Sequence, residues 1–163
     1  MELTADDRVA ITETIALHGH LFDNGELDRL DELFTPDVVY DVSEVGLGAL
    51  HGIPEILRAT LELGDGNPLA HHVTNTTITD VGADYVHTRC KAIVVLADGR
   101  CGTATYLDTL RRDSDRWRIS HRTVKPHRTP LNGAHAKQVG GQRAASYIRQ
   151  QKRTGPLRDQ RNS

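Results

Sequence analysis

The second half of the chain restricts the fold more than any other feature. Four runs rich in Val, Ile and Thr, at about 71–80, 85–97, 100–111 and 117–124, are separated by Val81-Gly82-Ala83-Asp84, Asp98-Gly99 and Asp113-Ser114-Asp115. Runs of this composition suit strands, and each break is built from residues that accept turn geometry. Connections this short join antiparallel neighbours, so the spacing predicts an antiparallel meander. One face of such a sheet must be buried, and the residues ahead of it supply the cover.

Thr4 and Asp7 have capping-box spacing, and Ile11, Ile15, His18 and Phe22 recur on one face, which predicts a helix over 5–22. Asn24-Gly25 breaks it, and Leu27, Leu30, Leu33 and Phe34 predict a short second helix that stops before Pro36. Residues 38–42 read as a strand and 46–52 as a Gly-rich loop. Pro54 opens a third helix that reaches Glu62 and ends near Gly64. Two helices, a strand, a helix and four strands make the class α+β.

The length, 163 residues, fits one core domain, expected over 1–128, followed by an extension over 129–163. Residues 1–125 carry 21 acidic and 12 basic side chains, whereas 126–163 carry 1 and 8. The basic extension has one aromatic residue, Tyr147, and no binding module, so it is expected to be disordered or packed on a partner subunit rather than to hold nucleic acid. The first residues are acidic and no run approaches the roughly 18 apolar residues of a membrane span, which predicts a cytoplasmic protein. Cys90 and Cys101 allow neither a disulfide framework nor a four-cysteine zinc site. A two-residue turn at Asp98-Gly99 would set Leu96 opposite Cys101 and Cys90 opposite Leu107, leaving two reduced, partly buried thiols.

Nine histidines invite a metal site, but His18 and His20 diverge on a helix, and the neighbours His71 and His72 point to opposite faces of a strand. No metal is expected. Phosphate-binding, dinucleotide-binding and nucleophile-elbow motifs are absent from the sequence. The more specific combination is Asp23, just after the first helix, with His71, Val73 and Asn75 on one strand face. A neutral imidazole is a good base near neutral pH, and a carboxylate beside it fixes its tautomer. The plainer reading makes Asp23 a turn cap and His71 a satisfied core histidine, and spacing alone does not separate the two. His18, on the apolar face of the first helix, is a second acid or base or else a core histidine. Tyr40 is a phenolic donor or a packing residue.

With the two-residue turn, Cys90, Ala92, Val94, Cys101, Thr103, Thr105 and Leu107 share the pocket face. Arg89, Lys91, Ile93, Val95, Ala104, Tyr106 and Asp108 form the outer one, with Arg89 opposite Asp108. On the last strand an inward Ile119 brings His121 toward the pocket.

The segments Phe22-Asp23-Asn24-Gly25-Glu26-Leu27-Asp28, Leu33-Phe34-Thr35-Pro36-Asp37-Val38-Val39-Tyr40-Asp41 and Gly52-Ile53-Pro54-Glu55-Ile56, with His71 four before Asn75 and Trp117-Arg118-Ile119 before Arg122, resemble the SnoaL-like branch of the NTF2-like superfamily over roughly 5–125. The resemblance implies a cone-shaped barrel: a curved, mostly antiparallel sheet and three helices around an apolar pocket, with no cofactor, in a homodimer or higher oligomer. Dehydratase and dehydrochlorinase members use an Asp–His dyad, which maps onto Asp23 and His71. Where relatives often have a Tyr on the first helix, this chain has His18. The implied function is a cofactor-independent lyase or isomerase of secondary metabolism, foremost a dehydratase of a small apolar oxygenated metabolite of polyketide, terpenoid or steroid-like type. Asp23, His71, His18 and Tyr40 would be catalytic, and Phe22, Asn75, Cys90, Ala92, Thr103, Thr105 and His121 would bind substrate. A polyketide cyclase, an epoxide-opening enzyme and a non-catalytic binding or dimerisation module are the alternatives.

Overall fold

Thr4 caps the first helix, α1 (Ala5–Asp23), by accepting the Asp7 N–H, and the Asp7 carboxylate accepts the Thr4 N–H in return, so the capping box is complete. Asp7 also takes hydrogen bonds from the Trp117 indole (3.0 Å) and from Arg112. Those donors hold its carboxyl well below the usual carboxylate range, the Trp117 bond first among them. The second helical segment is shorter than its spacing predicts, a 3-10 turn (Leu27–Arg29) running into one turn of helix, α2 (Leu30–Leu33). α3 spans Gly52–Leu63. The computed structural model describes residues 1–134. Met1–His127 form one unit and Arg128–Ser163 another, and most of the extension expected over 129–163 lies outside the described residues.

Six strands, β1 (Phe34–Val42), β2 (Gly48–His51), β3 (Ala70–Val81), β4 (Tyr85–Val95), β5 (Cys101–Asp113) and β6 (Arg116–Pro126), form one curved sheet in the order β2-β1-β6-β5-β4-β3. All pairs are antiparallel except β1 with β6. The sheet does not close on itself, and α1 lies against β3 and β6 while α3 covers β1. β2 occupies part of the stretch that the sequence suggests is loop. Gly48 and Gly52, both at positive φ, admit the tight entry and exit of this short edge strand.

Ile11, Ile15 and Leu21 of α1, Leu30 and Leu33 of α2, and Phe34, Val38, Leu110 and Ile119 of the sheet are at most 1% exposed and form the core between the layers. Side chains buried this fully contribute about 1.5–3 kcal/mol each. Among the described residues no helix is long and apolar enough to cross a membrane.

Three local features overturn the expected strand faces. The β4–β5 turn has three residues, not two: Leu96 N–H donates to Arg100 O and Gly99, at φ 82°, donates to Leu96 O, so that Val95 rather than Leu96 pairs with Cys101. A type I turn closed by a left-handed glycine has this length. The one-residue slip exchanges the faces of β5: Ala104, Tyr106 and Asp108 are buried, while Thr103 and Leu107 are exposed and Thr105 bonds outward to Lys91 and His127. Cys90 therefore sits opposite Tyr106, and Asp108 opposite Thr88 rather than Arg89. Cys90 is buried, and burial, followed by the nearby Asp108, pushes its thiol up to about 12; Cys101 is exposed, and both are free.

The second feature is a bulge in β3 between Thr74 and Thr77, with Asn75 at φ 54°. It ends the alternation that would carry Asn75 inward from His71 and Val73, and Asn75 is exposed. The third is an irregularity opposite Thr109 and Leu110, where Ser120 is the unpaired residue of β6. Trp117 and Ile119 are buried before it and Arg122 and Val124 after it, so His121 faces outward.

Candidate active site

Asp23 is the last residue of α1 and His71 the second of β3. Helix packing against β3 joins them: Asp23 Oδ1 lies 2.6 Å from His71 Nδ1, and Asp23 Oδ2 accepts the His71 backbone N–H at 2.7 Å. A carboxylate only accepts, so Nδ1 carries the ring proton and Nε2 is left as the basic nitrogen. The two side chains are 13% (His71) and 20% (Asp23) exposed, so solvent screens the pair little. His72 is exposed, as alternation along the strand requires.

The His71 ring forms part of the wall of a cavity of about 540 Å³ between the helices and the sheet. Most of the lining is hydrocarbon, including Val42, Leu50, Ile56, Leu63, Val94 and Leu96, and among the described residues the lining holds no Asp, Glu, Lys or Arg. Its imidazole and phenol groups gather around His18. The His18 ring lies edge-on to His71 at 4.9 Å between centroids, with Phe22 at 4.5 Å, Tyr106 at 5.6 Å and Tyr40 at 6.2 Å from His18. Alternation along β1 sets Tyr40 on the same side as Val38 and Val42.

His18 is 1% exposed, and neither of its ring nitrogens has a hydrogen-bond partner among the described residues. Burial, then the charge of Arg122 and the neighbouring His71, lowers its pKa well below the ordinary value, so its ring is neutral at neutral pH. Burial raises the Tyr40 phenol, which Arg122 partly offsets, and burial raises Tyr106 further. Both therefore remain protonated donors.

Behind these rings lies the pair that sequence reasoning missed. Arg122, fully buried, makes a bidentate ion pair with Asp108 (Nε and Nη2 to the two carboxylate oxygens, 2.7 Å each) and sets its guanidinium 4.5 Å over the Tyr106 ring. Burial works against its charge, but Asp108 outweighs that, and Nη1 has no hydrogen-bond partner among the described residues. Arg122 acts electrostatically on His18, Tyr40 and Tyr106, and Asp108 opposes it at the two phenols. Both residues stand in the sequence, but the bulge at Ser120 and the slip in β5 hide that they face inward.

Asp23, His71, His18, Tyr40 and Phe22 thus come together. Cys90 and Ala92 are buried in the core outside the cavity lining, Thr103 touches the lining from the exposed face, and Asn75, Thr105 and His121 are elsewhere. Among the described residues no three His, Cys, Asp or Glu side chains converge as metal ligands.

Comparison with known proteins agrees with this architecture. A search of curated proteins finds no match. Among solved structures, an NTF2-like protein with a cystatin-like fold from Novosphingobium aromaticivorans is 28% identical, with a TM-score of 0.63 over 82% of this chain and 88% of that one. A protein with a cystatin-like fold from Nostoc punctiforme is 23% identical (TM-score 0.68; 80% and 99% covered). A type 2 hexachlorocyclohexane dehydrochlorinase is 22% identical (TM-score 0.64; 80% and 92% covered). The model of the SnoaL-like domain matches residues 3–123, and the chain belongs to that family, within the NTF2-like superfamily.

Proposed function

We propose that the protein is a cofactor-independent lyase or isomerase, and specifically a dehydratase of a small, uncharged, largely apolar molecule bearing a carbonyl and a hydroxyl group, of polyketide, terpenoid or steroid-like type. The observation that carries this reading is the 2.6 Å contact of Asp23 with His71 at the wall of a cavity whose lining, among the described residues, is largely hydrocarbon and holds no Asp, Glu, Lys or Arg. His71 Nε2 removes a proton from the carbon next to the substrate carbonyl, and Asp23 stabilises the imidazolium that forms. The carbon–hydrogen electron pair becomes the new double bond, the carbon–oxygen bond to the leaving hydroxyl breaks, and the imidazolium returns its proton to that oxygen as water leaves. His18, being neutral, polarises an oxygen through a ring N–H rather than protonating it, and Tyr40 donates from a phenol that burial keeps protonated. That the same fold serves a dehydrochlorinase supports elimination as the reaction type.

The test is turnover of a panel of β-hydroxy ketones followed by mass spectrometry. A product lighter by one water, with the rate reduced about 10²- to 10⁴-fold in His71→Gln and in Asp23→Asn, is expected. A product of unchanged mass would indicate isomerisation or ring closure instead, and a gain of water by epoxides added to the panel would indicate epoxide opening. Binding without any turnover would leave a ligand-binding module.

A further inference from the structure

Gly19 lies inside α1, one turn before Asp23, and is buried against β3. Its backbone conformation is ordinary for a helix, so the turn geometry that explains glycine at Gly25 or Gly99 does not apply here. Glycine is also the poorest helix former after proline. The explanation is the neighbour. A Cβ at position 19 would stand 2.4 Å from the carbonyl oxygen of His71 and 3.5 Å from its carbonyl carbon, at least 0.6 Å inside the 3.0 Å that real Cβ contacts respect. The obstructing atom is backbone and cannot rotate away.

Residues four apart on a helix share a face, and here both members of the pair act on one residue of the strand. Gly19 lies against the His71 C=O, while Asp23 holds the His71 N–H at 2.7 Å and its ring Nδ1 at 2.6 Å. α1 therefore grips His71 from both sides of its backbone, and the grip depends on how closely the helix approaches. Separation by more than half an ångström at Gly19 would be transmitted one helical turn along to two hydrogen bonds that are already short.

From this contact we infer that Gly19 is a positioning residue for the Asp23–His71 pair: its missing side chain sets the helix-to-strand distance at which the carboxylate reaches Nδ1. The inference rests on the catalytic reading of the pair, but its test does not need a substrate. The experiment is ¹⁵N NMR of the histidine ring nitrogens in the full chain, at a pH where the rings are neutral, comparing wild type, Asp23→Asn and Gly19→Ala. Wild type should show His71 protonated at Nδ1, and Asp23→Asn should lose that preference. Gly19→Ala should remain folded by far-UV circular dichroism yet show the mixed His71 tautomers of the Asp23 variant. With a substrate in hand, kcat should fall about tenfold to a hundredfold with little change in KM.

Retention of the Nδ1–H form in Gly19→Ala would overturn the inference while leaving the dyad intact. A Gly19→Ala chain that does not fold would overturn it too, because the glycine would then serve the whole helix–sheet contact. If Asp23→Asn leaves the tautomer unchanged, the dyad reading itself fails.

Discussion

His18 is a histidine held almost entirely away from solvent. Both ring nitrogens are buried without hydrogen-bond partners among the described residues, and burial, Arg122 and His71 together hold its pKa well below 6.5. The unfolded chain takes up a proton at this residue as pH falls through 6.5, and the folded chain does not. Folding stability therefore rises with pH across that window and declines on acidification. His18→Phe should remove that component. The loss of melting temperature between pH 7 and pH 5, carrying up to about 2 kcal/mol from this one group, should shrink in the variant. An unchanged acid loss would assign the lability elsewhere. The legibility of single residues follows from where they stand in the chain. Asp23 and His71 were readable because His71 precedes any irregularity in β3, so period-two alternation from the strand start still holds. Asn75, Thr105 and His121 were misassigned because each lies beyond a bulge or on the far side of the hairpin.

At the scale of elements, the three-residue turn and the two irregular ladders decide what faces the cavity. The predicted helices and strands occur close to where the pattern sets them, since capping residues and turn clusters mark their ends locally. β2 was missed because a four-residue edge strand flanked by glycines carries little periodic signal. Register was not readable in the same way: one extra turn residue reverses a strand's faces without altering its composition. The consequence with most energy attached is the Arg122–Asp108 pair, which ties β6 to β5 against the ring of Tyr106. Removing one member leaves the other charge buried and alone. Asp108→Leu and Arg122→Met should each cost about 3–5 kcal/mol, and the double variant should recover much of that loss. Chemical denaturation of the four chains measures this cycle, and costs that simply add would show that the charges do not depend on each other.

For the whole molecule, an open curved sheet with helices on one face encloses a chamber without using a closed barrel. Curvature toward α1 and α3 brings together side chains from α1, α3 and all six strands, among them His18 and Phe22 of α1, Tyr40 of β1, Ile56 of α3, His71 of β3 and Tyr106 of β5. The fold class was legible because element order and patterning agree with each other over most of the chain. The chamber was not, because its shape depends on sheet curvature and on registers set by individual bulges. In the proposed reading the site divides two tasks: hydrocarbon walls hold the body of a ligand, while one end gathers the His71 base held by Asp23, neutral donors and the buried Arg122–Asp108 pair. Asp23 is proposed to make Nε2 of His71 the basic atom of that end. The ring-nitrogen ¹⁵N spectrum of neutral His71 in wild type and Asp23→Asn tests this without a substrate. A proton on Nδ1 and a bare Nε2 are expected in wild type, with that preference lost in the variant, whereas a proton on Nε2 in wild type would refute the role of Asp23.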